Sequence, residues 1–182
     1  QGAQVLSWQN GHRERLYLSP TCACDGTTAI RGGIPVCFPQ FNQRGTLPKH
    51  GFARNMAWRL LNEQSQGLQK VFELSDNAQT QALWPFKFKA QLKVSLAARS
   101  LKVQLTVENA GHQTLSFTGA LHTYFEVSHI DQVSLHGQAH QSEWDAVNDT
   151  HQACLGQLTF KNEFDRVYDV ATEKQPTWVL HY

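Results

Sequence analysis

Arginine and histidine side chains stand near both ends of one segment, residues 29–54, and are the first candidates for chemistry. Arg31 precedes Gly32-Gly33, which permits a tight backbone path, and Lys49-His50-Gly51 repeats the arrangement at the far end. Ordered loops that carry such groups often hold binding sites. Charged side chains of a purely structural loop would face water instead, and this segment alone leaves both interpretations open.

A second histidine, His122, lies in the alternating stretch LSFTGALHTYF, residues 115–125. Alternation places His122 on the more polar face of a strand, together with Tyr124. Small residues on that face (Ser116, Thr118 and Ala120) would leave room for a ligand beside the imidazole. The alternative is a surface histidine on a solvated face.

Two further groups of residues could do chemistry. Asp165-Arg166 precedes a short strand pattern, and is either a surface ion pair that contributes little stability or a carboxylate at the rim of a sheet. The nine histidines include no metal-ligand spacing on one predicted face, since His136 and His140 fall in a poor helical segment. We therefore predict no metal site.

The segment that carries Arg31 and His50 must itself be held in place. Its glycines and prolines exclude a helix interior or a central strand. Its apolar side chains, among them Phe38 and Phe52, need burial. We predict an ordered, irregular segment that is pinned against a larger scaffold.

That scaffold is predicted to be an antiparallel β-sandwich, because short period-two patterns alternate with turn residues. Asn10-Gly11 predicts a hairpin turn, and residues 76–83 predict one helical turn that begins at Asp76 or Asn77 and ends before Pro85. In the polar stretch 138–150, Trp144 is the one large apolar anchor. In the strand pattern over residues 86–96, a bulge near Ala90 could shift the inward and outward alternation by one residue. The predicted strands cover residues 5–8, 16–18, 56–62, 71–74, 86–96, 101–107, 115–125, 133–136, 157–160, 167–170 and 177–180.

Size and composition limit the function classes. A chain of 182 residues with 41% hydrophobic residues favours one domain with a genuine core. The formal charge of +1 provides no electrostatic case for nucleic acid or an acidic membrane, and no apolar run is long enough for a membrane span. The four cysteines (Cys22, Cys24, Cys37 and Cys154) are interpreted as reduced thiols, which suits a cytoplasmic location.

Three blocks of sequence carry a family resemblance. AIRGGIPVCFPQF, LPKHGFARNMAW, and TGALHTYFEVSHI with FDRVY resemble the aldose 1-epimerase-like family, and specifically its hexose-6-phosphate mutarotase branch. The resemblance runs through the chain. It implies a large antiparallel β-sandwich, the galactose mutarotase-like supersandwich, with a sugar site on a concave sheet face.

The resemblance also implies a reaction and roles for residues. The family interconverts the α and β anomers of an aldose by ring opening, rotation about C1–C2 and closure, with no metal and no organic cofactor. The general acid would be His122, because histidine exchanges protons near neutral pH. His50 and Asp165 would bind the sugar. Arg31 and Arg54 would bind the 6-phosphate, to which a planar guanidinium offers two donors.

This sequence departs from the family pattern in three places. The family's general base is a Glu in a strand beyond FDRVY, and Glu126, Glu143, Glu163 and Glu173 stand in other motifs. Gln40 replaces a usual aromatic residue and is expected to alter the wall of the sugar pocket. His129 stands where a small or acidic residue is common, a change that we do not interpret.

Both ends of the chain look cut. We therefore expect a single β-sandwich domain over residues 1–182 that lacks its first strands and its C-terminal strands, and that is inactive alone for want of the base. The enzyme would be a monomeric hexose-6-phosphate 1-epimerase acting on a small sugar phosphate. The alternatives are a non-catalytic carbohydrate-binding β-sandwich and an epimerase of unphosphorylated aldoses.

Overall fold

The fold is taken from a computed structural model that describes residues 1–23, 25–26, 28–170 and 177–182. Cys24 and Glu173, both named above, lie outside the described residues. The chain divides into two compact units, Gln1–Glu126 and Val127–Tyr182, and each is described by itself below.

Strands dominate both units, and α1 (Ala78–Leu83) is the one α-helix among the described residues. None of the helices formed by these residues is long and apolar enough to cross a bilayer. The strands of the first unit are β1 (Gln9–Asn10), β2 (Arg13–Glu14), β3 (Val36–Cys37), β4 (Arg59–Leu60), β5 (Gln69–Ser75), β6 (Phe88–Ala97), β7 (Ser100–Asn109) and β8 (Ala120–Leu121). Those of the second unit are β9 (Ser134–His136), β10 (Ser142–Asp145), β11 (Thr150–Ala153), β12 (Leu158–Thr159), β13 (Arg166–Tyr168) and β14 (Val179–His181). Short 3-10 helices cover Ala53–Asn55, Asn62–Gln64 and Ile130–Gln132.

The scaffold of the first unit is an antiparallel sheet of order β4-β5-β6-β7. β6 buries Phe88, Ala90 and Leu92, whereas the intervening Lys89 is exposed, as the period-two pattern predicts. The pairing of β6 with β7 is continuous, so the bulge considered near Ala90 does not occur.

The predicted helical turn is confirmed as α1. Of the two candidate caps, Asn77 is the N-cap, because its side chain accepts a hydrogen bond from the Thr80 backbone while the Thr80 hydroxyl accepts one from the Asn77 N–H. The helix ends at Leu83, and its C-cap, Trp84, stands immediately before Pro85.

An aromatic cluster packs residues 29–54, the Gly/Pro-rich segment, against this sheet. Phe38 is fully buried, and its ring makes edge contacts with Phe52, Trp84 and Phe88, at centroid distances of 6.5, 5.7 and 5.4 Å. The segment therefore is ordered and irregular, as predicted, and its stability comes from burial rather than from regular hydrogen bonding.

The N-terminal hairpin is present with a shifted turn. Asn10 pairs with Arg13, so the loop consists of Gly11 and His12 rather than the predicted Asn10-Gly11. The predicted return strand, residues 16–18, forms single bridges to Phe125 and Gly32 instead of a continuous ladder.

The second unit contains two three-stranded sheets, β11-β10-β13 and β12-β9-β14. The four late strands predicted from sequence are present, but β10 falls in the stretch 138–150, where only Trp144 was expected to anchor the chain, and β11 begins at the last residue of that stretch. Trp144 is only half-buried, whereas its neighbours Glu143 and Asp145 are buried. This is possible because Arg166 of β13 forms ion pairs with both carboxylates, at 3.3 Å and 2.6 Å.

Candidate functional site

The first unit contains a cavity of about 370 Å³, and four of the five predicted site residues line it. They are Arg31, His50, Arg54 and His122. Asp165 belongs to the second unit. The described lining residues are Thr28, Ala29, Ile30, Arg31, Pro35, Cys37, Lys49, His50, Arg54, His122 and Tyr124.

Backbone pairing between the Gly/Pro-rich segment and residues 118–124 positions His122. β3 pairs with β8, and the His122 N–H donates to the Pro35 carbonyl at 3.0 Å. The ladder covers only Ala120–Leu121, much less than the predicted strand over residues 115–125. Pro35 and Pro39 flank β3, and neither has an N–H with which to extend the ladder.

His50 is held by an unusual backbone conformation. Its φ is +69°, in the left-handed region, and that of Gly51 is +67°. A Cβ at Gly51 would overlap the Phe38 carbonyl, so only glycine allows the close pairing of Phe38 with Gly51. This pairing sets the buried Phe38 directly beside the residue that follows His50.

The two histidines lie side by side. Their ring centroids are 5.6 Å apart with nearly perpendicular planes, and the Tyr124 ring lies 4.9 Å from that of His122. Nδ1 of His122 is buried and has no hydrogen-bond partner among the described residues. Nδ1 of His122 is thus a buried polar atom that a ligand or water would have to satisfy.

The cavity has a cationic lining. Arg31, Lys49 and Arg54 contribute three positive side chains, and none of the described lining residues is a carboxylate. Burial lowers the pKa of His50, and the positive charges of Arg54, His122 and Lys49 lower it further, so His50 is neutral at pH 7. Burial raises the pKa of the Cys37 thiol despite the nearby Arg54 guanidinium. Such a cavity favours an anionic group.

Arg54 is only partly satisfied by the protein. Its Nη2 donates to the Lys49 carbonyl at 3.0 Å, whereas its buried Nε has no partner among the described residues. A buried donor without an acceptor costs free energy unless a ligand or water supplies one. An anionic ligand would supply that acceptor.

One expectation about the cavity wall is wrong. Ser116 and Thr118 do not line the described cavity, but lie with Gln40 around a separate depression. The Thr118 hydroxyl accepts a hydrogen bond from the Phe41 N–H, and the buried Gln40 amide bonds to Asn42 and Leu47. Both side chains hold the loop 40–47 and neither lines the described cavity beside His122, so an effect of Gln40 on the sugar pocket stays a prediction.

Asp165 immediately precedes β13 and is exposed. The predicted surface ion pair with Arg166 is wrong, because the Arg166 guanidinium pairs with Glu143 and Asp145 instead. Arg166 donates to the backbone carbonyl of Asp165 at 3.0 Å, and so does the Ala146 N–H, also at 3.0 Å. These bonds involve the backbone of Asp165 only, and a functional role for its carboxylate stays a prediction.

Sequence reasoning assigned no role to Lys49, Tyr124 or Cys37, all of which line the cavity. Adjacency to His50 could have indicated Lys49, and the shared face with His122 could have indicated Tyr124. No sequence signal indicated Cys37, which reaches the cavity only because β3 pairs with β8. The described residues contain no group of three or more His, Cys, Asp or Glu side chains suited to a metal ion.

Comparison with known proteins gives a family match over almost the whole chain. The model of the family described as aldose 1-epimerase matches residues 1–181. Two curated relatives carry the name "Putative glucose-6-phosphate 1-epimerase". The protein of Escherichia coli (strain K12) is 39% identical over 176 residues, and that of Salmonella typhimurium (strain LT2) is 40% identical over 178 residues. Each alignment covers 92% of this chain but 58% of the relative, so the chain spans little more than half the length of these relatives.

Solved structures agree with the fold. A crystal structure described as a putative mutarotase from Salmonella typhimurium has a TM-score of 0.80 at 33% identity, and the match covers 92% of this chain and 57% of that one. A galactose mutarotase-related enzyme from Lactobacillus acidophilus has a TM-score of 0.81 at 18% identity, with 99% and 67% coverage, and shows the fold alone. The predicted galactose mutarotase-like, antiparallel β fold is confirmed.

Proposed function

The chain belongs to the aldose 1-epimerase family, and from that premise we propose that it is part of a hexose-6-phosphate 1-epimerase. The proposed reaction interconverts the α and β anomers of a hexose 6-phosphate. Names of the similar proteins support this substrate class, and so does the site described above.

One observation carries the phosphate part of the proposal. Three cationic side chains (Arg31, Lys49 and Arg54) line a cavity whose described lining contains no carboxylate. A phosphate ester is dianionic near neutral pH, and charge-assisted hydrogen bonds from arginine to phosphate are about twice as strong as neutral ones. An unphosphorylated aldose has no group that would offset this concentration of positive charge.

The proposed chemistry places the acid at His122. Its protonated ring would donate a proton to the ring oxygen while the C1–O5 bond breaks and the anomeric hydroxyl loses its proton to a base. The open-chain aldehyde rotates about C1–C2, and closure on the other face returns the proton to His122. The resemblance assigns the base to a Glu in a strand beyond FDRVY, and assigns the binding of sugar hydroxyls to His50 and Asp165.

The proposal also includes a cell compartment and an oligomeric state. We infer a cytoplasmic monomer that acts on a small sugar phosphate and that forms one β-sandwich domain with the rest of its fold. The free, buried thiols of Cys37 and Cys154 support a reducing compartment.

Exchange NMR tests the function in the protein as its gene encodes it. Exchange between the two anomeric proton signals of glucose 6-phosphate reports interconversion directly at equilibrium. We expect exchange well above the buffer rate, and we expect His122→Gln to reduce it by about 10²–10⁴-fold, the usual contribution of a positioned acid.

The matched control is His12→Gln, since His12 is exposed in the β1–β2 loop. This variant should exchange anomers at the wild-type rate. Full activity in a folded His122→Gln variant would contradict the assignment of the acid. A wild-type protein that binds glucose 6-phosphate but leaves its anomers at the buffer rate would favour the non-catalytic sugar-binding alternative.

A further inference from the structure

The loop 40–47 connects a buried glutamine to one histidine of the site. Gln40 is 3% exposed, and its amide makes three hydrogen bonds. Its Nε2 donates to the carbonyls of Asn42 and Leu47, both at 3.0 Å, and its Oε1 accepts from the Leu47 N–H at 3.0 Å. The side chain thus joins the two ends of the loop.

The space for this amide depends on Gly45. A Cβ at Gly45 would overlap Oε1 of Gln40, and Gly45 has a φ of +156°. The loop is therefore built around the glutamine side chain, which is a specific arrangement and not a general filling of space.

Asn42 transmits the position of the loop to His50. It has a left-handed backbone, with a φ of +51°, and it makes two hydrogen bonds to the histidine. Its carbonyl accepts from the His50 N–H at 3.0 Å, and its own N–H donates to Nδ1 of His50 at 3.2 Å. The same carbonyl accepts the bond from Gln40, so the glutamine directly restrains the group that holds His50.

The bond from Asn42 has a chemical consequence. A backbone N–H can donate only to an unprotonated nitrogen, so Nδ1 of His50 must carry a lone pair. In a neutral imidazole the proton then resides on Nε2, which is the nitrogen left for the cavity. Burial and, after it, the positive charge of Arg54 lower the pKa of His50, which favours the neutral ring.

We propose that Gln40 is a positioning residue that acts through Asn42 and fixes His50 in the tautomer with its proton on Nε2. His50 then meets the ligand only as a hydrogen-bond donor. The ligand group opposite it must be an acceptor, which for the proposed substrate is an oxygen of the sugar. The nature of this ligand rests on the proposed function, whereas the tautomer rests on the contacts alone.

Histidine side-chain nitrogens can be observed by long-range ¹H–¹⁵N NMR, which distinguishes protonated from unprotonated ring nitrogens. In the wild-type protein at neutral pH we expect His50 to show an unprotonated Nδ1 and a protonated Nε2. In Gln40→Met, which keeps the length of the side chain and removes its three hydrogen bonds, the two nitrogen shifts should converge as both tautomers become populated. The matched control is Gln79→Met on the exposed face of α1, which should leave the His50 spectrum unchanged.

Kinetics test the consequence for the ligand. Gln40→Met should lower kcat/KM for glucose 6-phosphate about twofold, mainly through KM, because only half of the molecules present the donor when both tautomers are equally populated. Gln40→Glu is the second variant if the first does not fold. It keeps the acceptor for the Leu47 N–H and removes the donor to Asn42, so the same convergence of shifts is expected.

Two results would overturn the proposal. One is a wild-type His50 that carries its proton on Nδ1, and the other is a folded Gln40 variant that retains the wild-type tautomer. The NMR result is decisive even for a protein without anomer exchange, so a failure of the proposed function is distinguished from a failure of this inference. Unchanged kcat/KM in an active variant with mixed tautomers would remove the positioning role.

Discussion

At the scale of single residues, the cavity combines charge with unsatisfied hydrogen-bonding groups. Nε of Arg54 and Nδ1 of His122 are both buried without a partner among the described residues. Native proteins seldom leave such atoms unpaired unless a ligand or water completes them. This property distinguishes the Arg54 guanidinium from that of Arg59, which is exposed and bonds to the Glu73 carboxylate.

The two cavity arginines should discriminate between phosphorylated and free sugars. Arg31→Ala or Arg54→Ala should each weaken the binding of glucose 6-phosphate by about 1.5–3 kcal/mol, the contribution of a charge-assisted hydrogen bond. Binding of free glucose should change much less. Isothermal titration calorimetry with both sugars measures the difference.

Arg99→Ala is the matched control for those variants. Arg99 is exposed between β6 and β7 and does not line the described cavity. It should leave both affinities unchanged. Equal losses for the two sugars in the cavity variants would mean that Arg31 and Arg54 are structural.

At the scale of elements, several short strands depend on side chains for hydrogen bonds that a longer ladder would supply. The β1–β2 hairpin has two residue pairs, and the Glu14 carboxylate adds bonds from the backbone N–H groups of Trp8, Arg15 and Leu16. Burial raises the pKa of Glu14, but the hydrogen bonds from Ser7 and these backbone groups outweigh it and lower the pKa to about 2.

The low pKa of Glu14 makes a prediction about stability and pH. Because the folded-state pKa lies below the ordinary value of 4.5, this carboxylate stabilises the native state above pH 4.5, and the contribution is lost as the pH falls towards 2. Glu14→Gln should therefore reduce the free energy of unfolding at pH 7. The difference from wild type should shrink between pH 4.5 and 2, as measured by urea denaturation at several pH values.

Glu63→Gln provides the comparison for this element, since Glu63 is exposed in a 3-10 helix. It should change the unfolding free energy little at any of these pH values. A Glu14→Gln deficit that stays constant down to pH 2 would show that the carboxylate charge does not contribute.

In the second unit a network of charged and polar side chains stabilises the pairing of β10 with β13. Glu143 accepts hydrogen bonds from the Tyr168 hydroxyl, at 2.7 Å, and from the Gln152 amide, at 2.9 Å, in addition to its ion pair with Arg166. Burial raises the pKa of Glu143, but these bonds and the Arg166 charge outweigh it and hold the pKa below its ordinary value. A buried carboxylate with this many donors remains ionised and specifies the register of the strands around it.

At the scale of the whole molecule, the first unit depends on one aromatic core. Phe38 lies at its centre, and Phe117 adds a fourth edge contact at 5.2 Å. The same side chain neighbours Gly51, so the core and the His50 backbone are continuous. Interiors of this kind are close-packed and relax little around a deletion.

Phe38→Ala should therefore destabilise the protein by about 3–5 kcal/mol, the range for a large aromatic side chain removed from a rigid core. Phe38→Leu should cost less, because it fills part of the space. Leu68→Ala is the control, since Leu68 is 68% exposed and should have almost no effect. Chemical denaturation followed by circular dichroism measures all three, and a Phe38→Ala loss below about 1 kcal/mol would contradict the central position of this residue in the core.

Local patterns in the sequence determined the elements and the family. Alternation over residues 86–107 predicted β6 and β7, and a cap at Asp76 or Asn77 together with Pro85 predicted the ends of α1, because these signals act between residues that are close in the chain. The blocks around Arg31, His50 and His122 indicated the aldose 1-epimerase family. Their length makes them specific even without a structure.

Contacts between distant segments were decided only by the tertiary structure. The pairing of β3 with β8 brings Cys37 to the His122 cavity, and Arg166 allows Glu143 and Asp145 to be buried on a strand where Trp144 was expected to face inward. The sequence led us to expect that Gln40 alters the wall of the sugar pocket. In the structure its buried amide bonds to Asn42, and Asn42 in turn bonds to His50. Hydrogen bonds and ion pairs of this kind depend on which side chains meet across the fold, and no local periodicity encodes them.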